Sequence, residues 1–215
     1  MEKPPFEVNK ELQGWLLFWA RLELVPAGSD QLAALRTEVV RRARARLTME
    51  TLATDPTVSA LRKLFKTAGC DPTRYRPSSE ALLRRVLKGE ELPALHPLVD
   101  INNCLSVELA VPCCVMRAGS FAPPLILRAG KEGESYESLR GPFNLEGKPL
   151  LADILGPLDA PITGSERVKI TAESDIAWLV AYCPDQTIAA ESARDKLLQL
   201  LAAAPVAQAS QISAI

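Results

Sequence analysis

Residues 15–24 read Trp-Leu-Leu-Phe-Trp-Ala-Arg-Leu-Glu-Leu, and at their start they are apolar on both faces: Trp15, Leu17, Trp19, Arg21 and Glu23 alternate against Leu16, Phe18, Ala20, Leu22 and Leu24. A strand with one solvated face alternates apolar with polar side chains, whereas one covered on both faces does not. The extended segment predicted from Phe6 to Val25 therefore belongs in the middle of a sheet rather than at its edge. Everything else in the chain has to be arranged around it.

Pro26-Ala27-Gly28-Ser29-Asp30 breaks that segment, and Ser29 or Asp30 suits the N-cap of a helix running to about Leu47, with Leu32, Leu35, Val39 and Ala43 on one stripe. A second helix is predicted from Pro56 to Thr67, with Gly69 placed to end it. A third follows Ser78 or Ser79 and stops at Gly89; a fourth spans Leu98 to Leu109. From Pro112 the pattern changes to short apolar runs punctuated by Gly and Pro: Cys113–Met116, Leu125–Leu127, Tyr136–Leu139, Leu150–Ile154, Val168–Ile170 and Ile176–Cys183. Helical spacing returns at Thr187–Ala203, and residues 204–215 read as a flexible, low-complexity tail. Strand, helices, strands, helix is the order of an α+β fold, and with no linker dividing the halves we expect one domain over residues 1–203.

The 215 residues are 47% hydrophobic and 24% charged, ordinary for a globular chain. No apolar run approaches a membrane span, and the N-terminal residues lack the pattern of a secretory signal, so a cytoplasmic location is expected and a membrane partner is not. Five cysteines without CxxC spacing and a single histidine, His96, give no zinc signature. No Walker loop or dinucleotide fingerprint is present either, so no cofactor and no metal is expected. Charge is uneven: residues 36–88 hold thirteen basic and five acidic side chains, in a chain of net charge −1. Such a bias fits a face turned to nucleic acid, with Arg41, Arg42 and Arg44 as the RNA-contacting candidates; it fits solvated helix faces as well.

Three stretches carry a resemblance. They are Arg74-Tyr75-Arg76-Pro77-Ser78-Ser79-Glu80-Ala81-Leu82-Leu83-Arg84-Arg85, then Pro97-Leu98-Val99-Asp100-Ile101-Asn102-Asn103 on to Pro112, and Ser165-Glu166-Arg167-Val168-Lys169-Ile170-Thr171. Together they resemble the stand-alone relatives of the B3/B4 editing domain of the phenylalanyl-tRNA synthetase β subunit, a module that hydrolyses mischarged tyrosyl-tRNA(Phe). The resemblance implies a layered β/β/α sandwich. It also implies tRNA or aminoacyl-tRNA as partner rather than DNA, with a small amino-acid-like ligand in a polar-lined pocket. Two functions follow: a trans-acting deacylase for mischarged aminoacyl-tRNA, or a non-catalytic module that binds an amino acid or RNA.

Six residues are the candidates for the ligand site. Asn103 supplies an acceptor and two donors, able to hold an amine or a carbonyl, or to tie its helix to a strand. Arg76, beside Arg74 before a helix start, can grip a phosphate or carboxylate, or pair with Glu80 or Asp100. Gly164, in Thr163-Gly164-Ser165, corresponds to the glycine-rich turn that lines the family's pocket. Arg167 and Lys169 alternate on the predicted strand after it, so both are expected on one face. Cys114 stands where the embedded domain has a histidine, and Leu179 where it has a glutamate. No catalytic residue is assigned from the sequence, because neither expected group is present and Cys114 has no histidine to act as its base.

Overall fold

The computed structural model describes residues 3–215. The two-faced segment is strand β2, Trp15–Leu24, preceded by a short β1, Val8–Lys10. Strand β2 lies inside a four-stranded sheet with β3 (Cys113–Arg117), β10 (Ile176–Pro184) and β11 (Ala207–Ala214), in the order β11-β2-β10-β3. A second sheet holds β1, β4 (Leu125–Ala129), β7 (Pro149–Asp153), β8 (Gly156–Ala160) and β9 (Thr163–Gly164), in that order. Strands β5 (Ser135–Ser138) and β6 (Gly141–Asn144) form a separate hairpin.

Register explains why β2 is apolar on both faces. Leu17 pairs with Tyr182 and Trp19 with Val180, and this side meets the five-stranded sheet: Phe6 stands edge-on to Trp19 at 5.1 Å and to Trp178 at 4.9 Å, and the Tyr182 hydroxyl reaches Asp159 on β8. Phe18, Ala20 and Leu22 point the other way, where helices α4 (Pro97–Leu109) and α5 (Ala190–Ala203) pack on the four-stranded sheet, with α1 (Ser29–Arg46) against α4. The result is the expected β/β/α layering. Trp15, Trp19 and Phe18 are at most 1% exposed, and burying each contributes on the order of 2–3 kcal/mol.

Two further helices place the site. Helix α2, Pro56–Thr67, starts on Asp55, whose carboxylate accepts from the backbone of Thr57 and Val58, with Pro56 at the first helical position. Helix α3, Ser78–Leu87, is pinned at its first turn: Ser78 N–H donates to Pro161 O at 2.9 Å, and Ser79 Oγ to Ala110 O at 3.1 Å. The motif around Arg74–Glu80 is thereby held against both the end of α4 and the chain entering Gly164.

Three sequence expectations fail. Helix α1 is not capped by Ser29 or Asp30; Gly28, with φ of 80°, holds the cap position and the two polar residues lie inside the helix. Val168–Ile170 is not a strand. Strand β9 is only two residues long, the chain then touches β5 through the single bridge Ser138–Ser165, and with no neighbour to continue the ladder Glu166–Val168 coils into a 3₁₀ turn. The segment read as a flexible tail forms β11 on the free edge of β2, and Ile215 closes it with hydrogen bonds to Leu17. Its small and polar residues concealed an edge strand, one that bulges at Gln211 (φ 48°) between Ser210 and Ser213.

Candidate functional site

Asp159 lies on β8 opposite Gly164 of β9, on the face turned to the four-stranded sheet. It is 1% exposed. One carboxylate oxygen, Oδ2, accepts from the Tyr182 hydroxyl at 2.6 Å; the other, Oδ1, is buried and has no hydrogen-bond partner among the described residues. The Cys114 thiol is within reach of the carboxylate, although it is directed at Val115 O, 3.7 Å away. Among the described residues no guanidinium or ammonium pairs with Asp159. Burial therefore dominates, outweighing the hydrogen-bonding groups of Tyr182, Cys114 and Ala160, and the carboxyl pKa is pushed up to about 6.

Four elements converge here. Tyr182 comes from β10, Cys114 from β3, Asp159 and Gly164 from the β8–β9 turn, and Tyr136 from the hairpin, where its hydroxyl donates to Thr163 O at 2.5 Å. A Cβ at position 164 would lie 3.8 Å from Asp159 Oδ1 and 3.4 Å from Leu139 Cδ1, so the bare backbone of Gly164 faces the unpaired oxygen. Its φ is not in the left-handed region, so the glycine is not required by backbone conformation. Leu139 is half-exposed at the rim. Burial, then the charge of Asp159, drives the Cys114 thiol well above its ordinary pKa, which keeps it protonated and a poor nucleophile. The Tyr136 and Tyr182 hydroxyls are raised by burial in the same way and remain neutral donors.

Of the residues singled out in the sequence, Cys114 and Gly164 thus meet through Asp159. Asn103 is half-buried and accepts weakly, at 3.5 Å, from Asn102. It is Asn102 that reaches the strand, donating to Cys113 O at 3.3 Å, and its own Oδ1 is buried without a partner. Helical spacing held that signal: Leu98, Asn102, Leu105 and Leu109 form one inward stripe. Arg76 is exposed, its Nε 4.0 Å from Glu80. Arg167 and Lys169 do not share a strand face, because they lie in and just after the 3₁₀ turn; Arg167 pairs with Asp153 and Lys169 with Glu166. His96 is committed to capping α4, its Nδ1 accepting from Leu98 N–H.

The three arginines expected to face RNA each have partners within the fold. Arg41 forks onto Glu38, Arg42 bridges Glu38 and Glu108, and Arg44 spends its guanidinium on Val86 O, Glu90 O and Glu91. One open surface cavity of about 400 Å³ lies between α1 and α4, and another of about 410 Å³ between Gly14, α2 and Pro184–Thr187. Neither is lined by a buried side-chain oxygen or nitrogen lacking a partner, which is why the Asp159 junction is the stronger candidate. Among the described residues no group of three or more His, Cys, Asp or Glu is arranged to hold a metal ion, and no helix is long and apolar enough to cross a membrane.

Comparison with known proteins gives these features a setting. The B3/4 domain family matches residues 60–201. Among solved structures, the chain is similar to an N-terminal fragment of the phenylalanyl-tRNA synthetase β-subunit from Pyrococcus horikoshii, at 14% identity and a TM-score of 0.48, over 97% of this chain and 51% of that one. This chain therefore spans about half the length of that fragment. No curated protein matches it.

Proposed function

Because the chain belongs to the B3/4 domain family, we propose that it is a tRNA-related module acting in the cytoplasm, which takes the aminoacyl end of a mischarged tRNA at the Asp159–Gly164 junction and hydrolyses its ester. The observation that carries this reading is the unpaired, buried Oδ1 of Asp159 facing a glycine backbone. A buried acceptor left without a donor costs stability, and such costs concentrate where a ligand supplies the missing partner. A carboxyl with a pKa of about 6 is also well placed to act as a base near neutral pH.

In this mechanism water held by Asp159 attacks the ester carbonyl carbon, and its proton passes to the carboxylate. Backbone N–H groups near Gly164 stabilise the oxyanion. The tetrahedral intermediate collapses by breaking the bond to the terminal ribose oxygen, which takes the proton from Asp159, releasing amino acid and tRNA. Cys114 is not the attacker, since its thiol stays protonated. In this reading Asn103 on α4 and Arg76 before α3 contribute to substrate binding.

A second reading, a binding module without chemistry, is favoured by one observation: no imidazole or thiolate is poised at the junction, because His96 caps a helix and Cys114 is neutral. A deacylation screen with purified protein and a set of mischarged tRNAs, against a no-protein control, separates the two. Release above the control is expected for at least one of them, falling roughly a hundredfold in Asp159→Asn. No release from any tRNA selects the binding module, and release unaffected by Asp159→Asn removes that residue from the mechanism.

A further inference from the structure

Glu80, in the first turn of α3, is 0% exposed, yet three arginines share it. Arg62 from α2 approaches with Nε at 2.8 Å and Nη2 at 2.6 Å, Arg84 donates Nε at 2.9 Å, and Arg76 Nε stands 4.0 Å away. No other carboxylate among the described residues pairs with these three, so one negative charge sits beneath three positive ones. Their side chains are 23%, 27% and 45% exposed for Arg62, Arg84 and Arg76. Among the described residues, Nη1 of Arg62 and both Nη atoms of Arg84 have no protein acceptor, and the Arg76 guanidinium makes no hydrogen bond.

We propose that Arg62 and Arg84, fixed over the buried Glu80, form with the neighbouring Arg76 a cradle for the phosphate backbone of an RNA. Arg62 and Arg84 are held from below by a carboxylate that water does not reach, so their outward N–H groups are ordered before a ligand arrives. A guanidinium matches a phosphate oxygen pair, and ordering it in advance lowers the entropy lost on binding. One arginine forked onto Glu80 already matches its charge, so the cluster carries a local surplus of positive charge.

Position adds to the argument. Ser78, two residues before Glu80, is bonded to Pro161 O, three residues before Gly164. Tyr75 lies beneath the Arg74 guanidinium at 5.2 Å and edge-on to Phe143, which also packs on Tyr136 of the Asp159 junction. The cradle and the Asp159 junction are therefore joined through α3 and the β5–β6 hairpin, an arrangement that suits a strand whose terminal residue reaches that junction. The inference rests on the tRNA reading above for its choice of RNA as the polyanion. It replaces α1 as the RNA-facing surface.

The test is the affinity of the full chain for deacylated tRNA, measured by fluorescence anisotropy across roughly 50 to 200 mM salt. Arg76→Gln leaves the hydrogen bonds of Glu80 intact, and Arg84→Lys keeps the charge while removing the fork; Arg84→Gln removes both. Deleting one arginine–phosphate pairing should weaken binding about sixfold near 0.1 M salt and flatten the log–log salt slope by about 0.8. Arg84→Lys should fall between wild type and Arg84→Gln, whereas Arg41→Gln and Arg44→Gln should leave the affinity within about twofold. Binding that weakens with the α1 variants and ignores Arg76→Gln and Arg84→Gln overturns the cradle, as does the absence of salt-sensitive tRNA binding. Hydrolysis of a small aminoacyl ester lacking phosphates reports the Asp159 junction alone. Binding without hydrolysis leaves the cradle standing and sinks the deacylase reading; hydrolysis with arginine-independent RNA affinity does the reverse.

Discussion

Glu80 and Asp159 are equally hidden, 0% and 1% exposed, and their carboxyl groups behave in opposite ways. Burial raises the pKa of both. At Glu80 the hydrogen bonds and charges of Arg62 and Arg84 overcome burial and hold the group below its ordinary range, while at Asp159 the neutral Tyr182 hydroxyl and Cys114 thiol cannot, and the pKa climbs to about 6. The partners, and not the depth, decide whether a buried acid stays ionised. One carboxylate organises cations around it; the other is left wanting a donor.

The largest expected effect tests the first half of this contrast. Glu80→Gln removes the anion shared by three guanidiniums, and breaking a buried ion pair from one side typically costs about 3–5 kcal/mol. Partial exposure of the arginines puts this variant at the low end, about 3 kcal/mol in urea titrations at neutral pH. Because the folded pKa of Glu80 is depressed, its contribution is present above the unfolded value near 4.5 and is lost as pH falls through the folded value. The gap between wild type and variant should therefore close in acid. A gap independent of pH would mean that packing, not charge, is what Glu80 provides.

Asp159→Asn should act with the opposite sign. A carboxyl whose folded pKa of about 6 exceeds its ordinary value of 3.8 holds its proton more tightly in the folded chain. Its burial carries no penalty below about pH 4, and the penalty grows as pH rises to about 6, reaching on the order of 3 kcal/mol at neutral pH. The variant should be more stable than wild type at pH 7 and equal to it near pH 4, when both are unfolded in urea. If Asp159→Asn is instead destabilising at pH 7, the carboxylate has a partner that the geometry does not show.

How much of this contrast is legible in the sequence depends on distance along the chain. Helices α2 and α3 can be read from Asp55-Pro56 and from Ser78 to Gly89, and the pairing of Arg76 with Glu80 is within reach of a local reading because the two are one helical turn apart. Arg62 lies eighteen residues from Glu80, and nothing local joins them. Asp159 is invisible in the sequence for two reasons. Its strand contains Pro157 and is followed by Pro161, residues that argue against a strand, and the ladder to β7 shifts register there. Its partner Tyr182 is twenty-three residues away on another sheet. The pairing of Arg42 on α1 is hidden for the same cause: Glu108 lies sixty-six residues away.

A smaller effect sharpens the Asp159 half. Tyr182→Phe deletes the hydroxyl bonded to Oδ2, leaving the carboxylate with fewer donors, and losing a donor to a buried acceptor costs about 1–3 kcal/mol. Most of that cost should appear at neutral pH, since the protonated acid tolerates the loss better. The midpoint of the pH dependence should move above 6. A midpoint that stays in place would show that Cys114 or Ala160, rather than Tyr182, limits the shift.

The smallest expected effect belongs to Cys114. Its thiol is held protonated by burial and by the neighbouring charge of Asp159, and its hydrogen bond to Val115 O is a long one. Cys114→Ala removes one sulfur from a half-buried position, so stability should drop by no more than about 1 kcal/mol. The water mechanism also requires the variant to keep deacylation within about twofold, because no bond is made to sulfur at any step. Loss of the thiol takes away a weak donor near Asp159, so the pH midpoint should rise slightly, in the same direction as Tyr182→Phe and by less. Complete loss of hydrolysis in Cys114→Ala, together with an acyl-thioester trapped on the wild-type chain and detected by mass spectrometry, would transfer the chemistry from water to sulfur. Asp159 would then be the group that receives the thiol proton, and the contrast with Glu80 would survive with a different attacker.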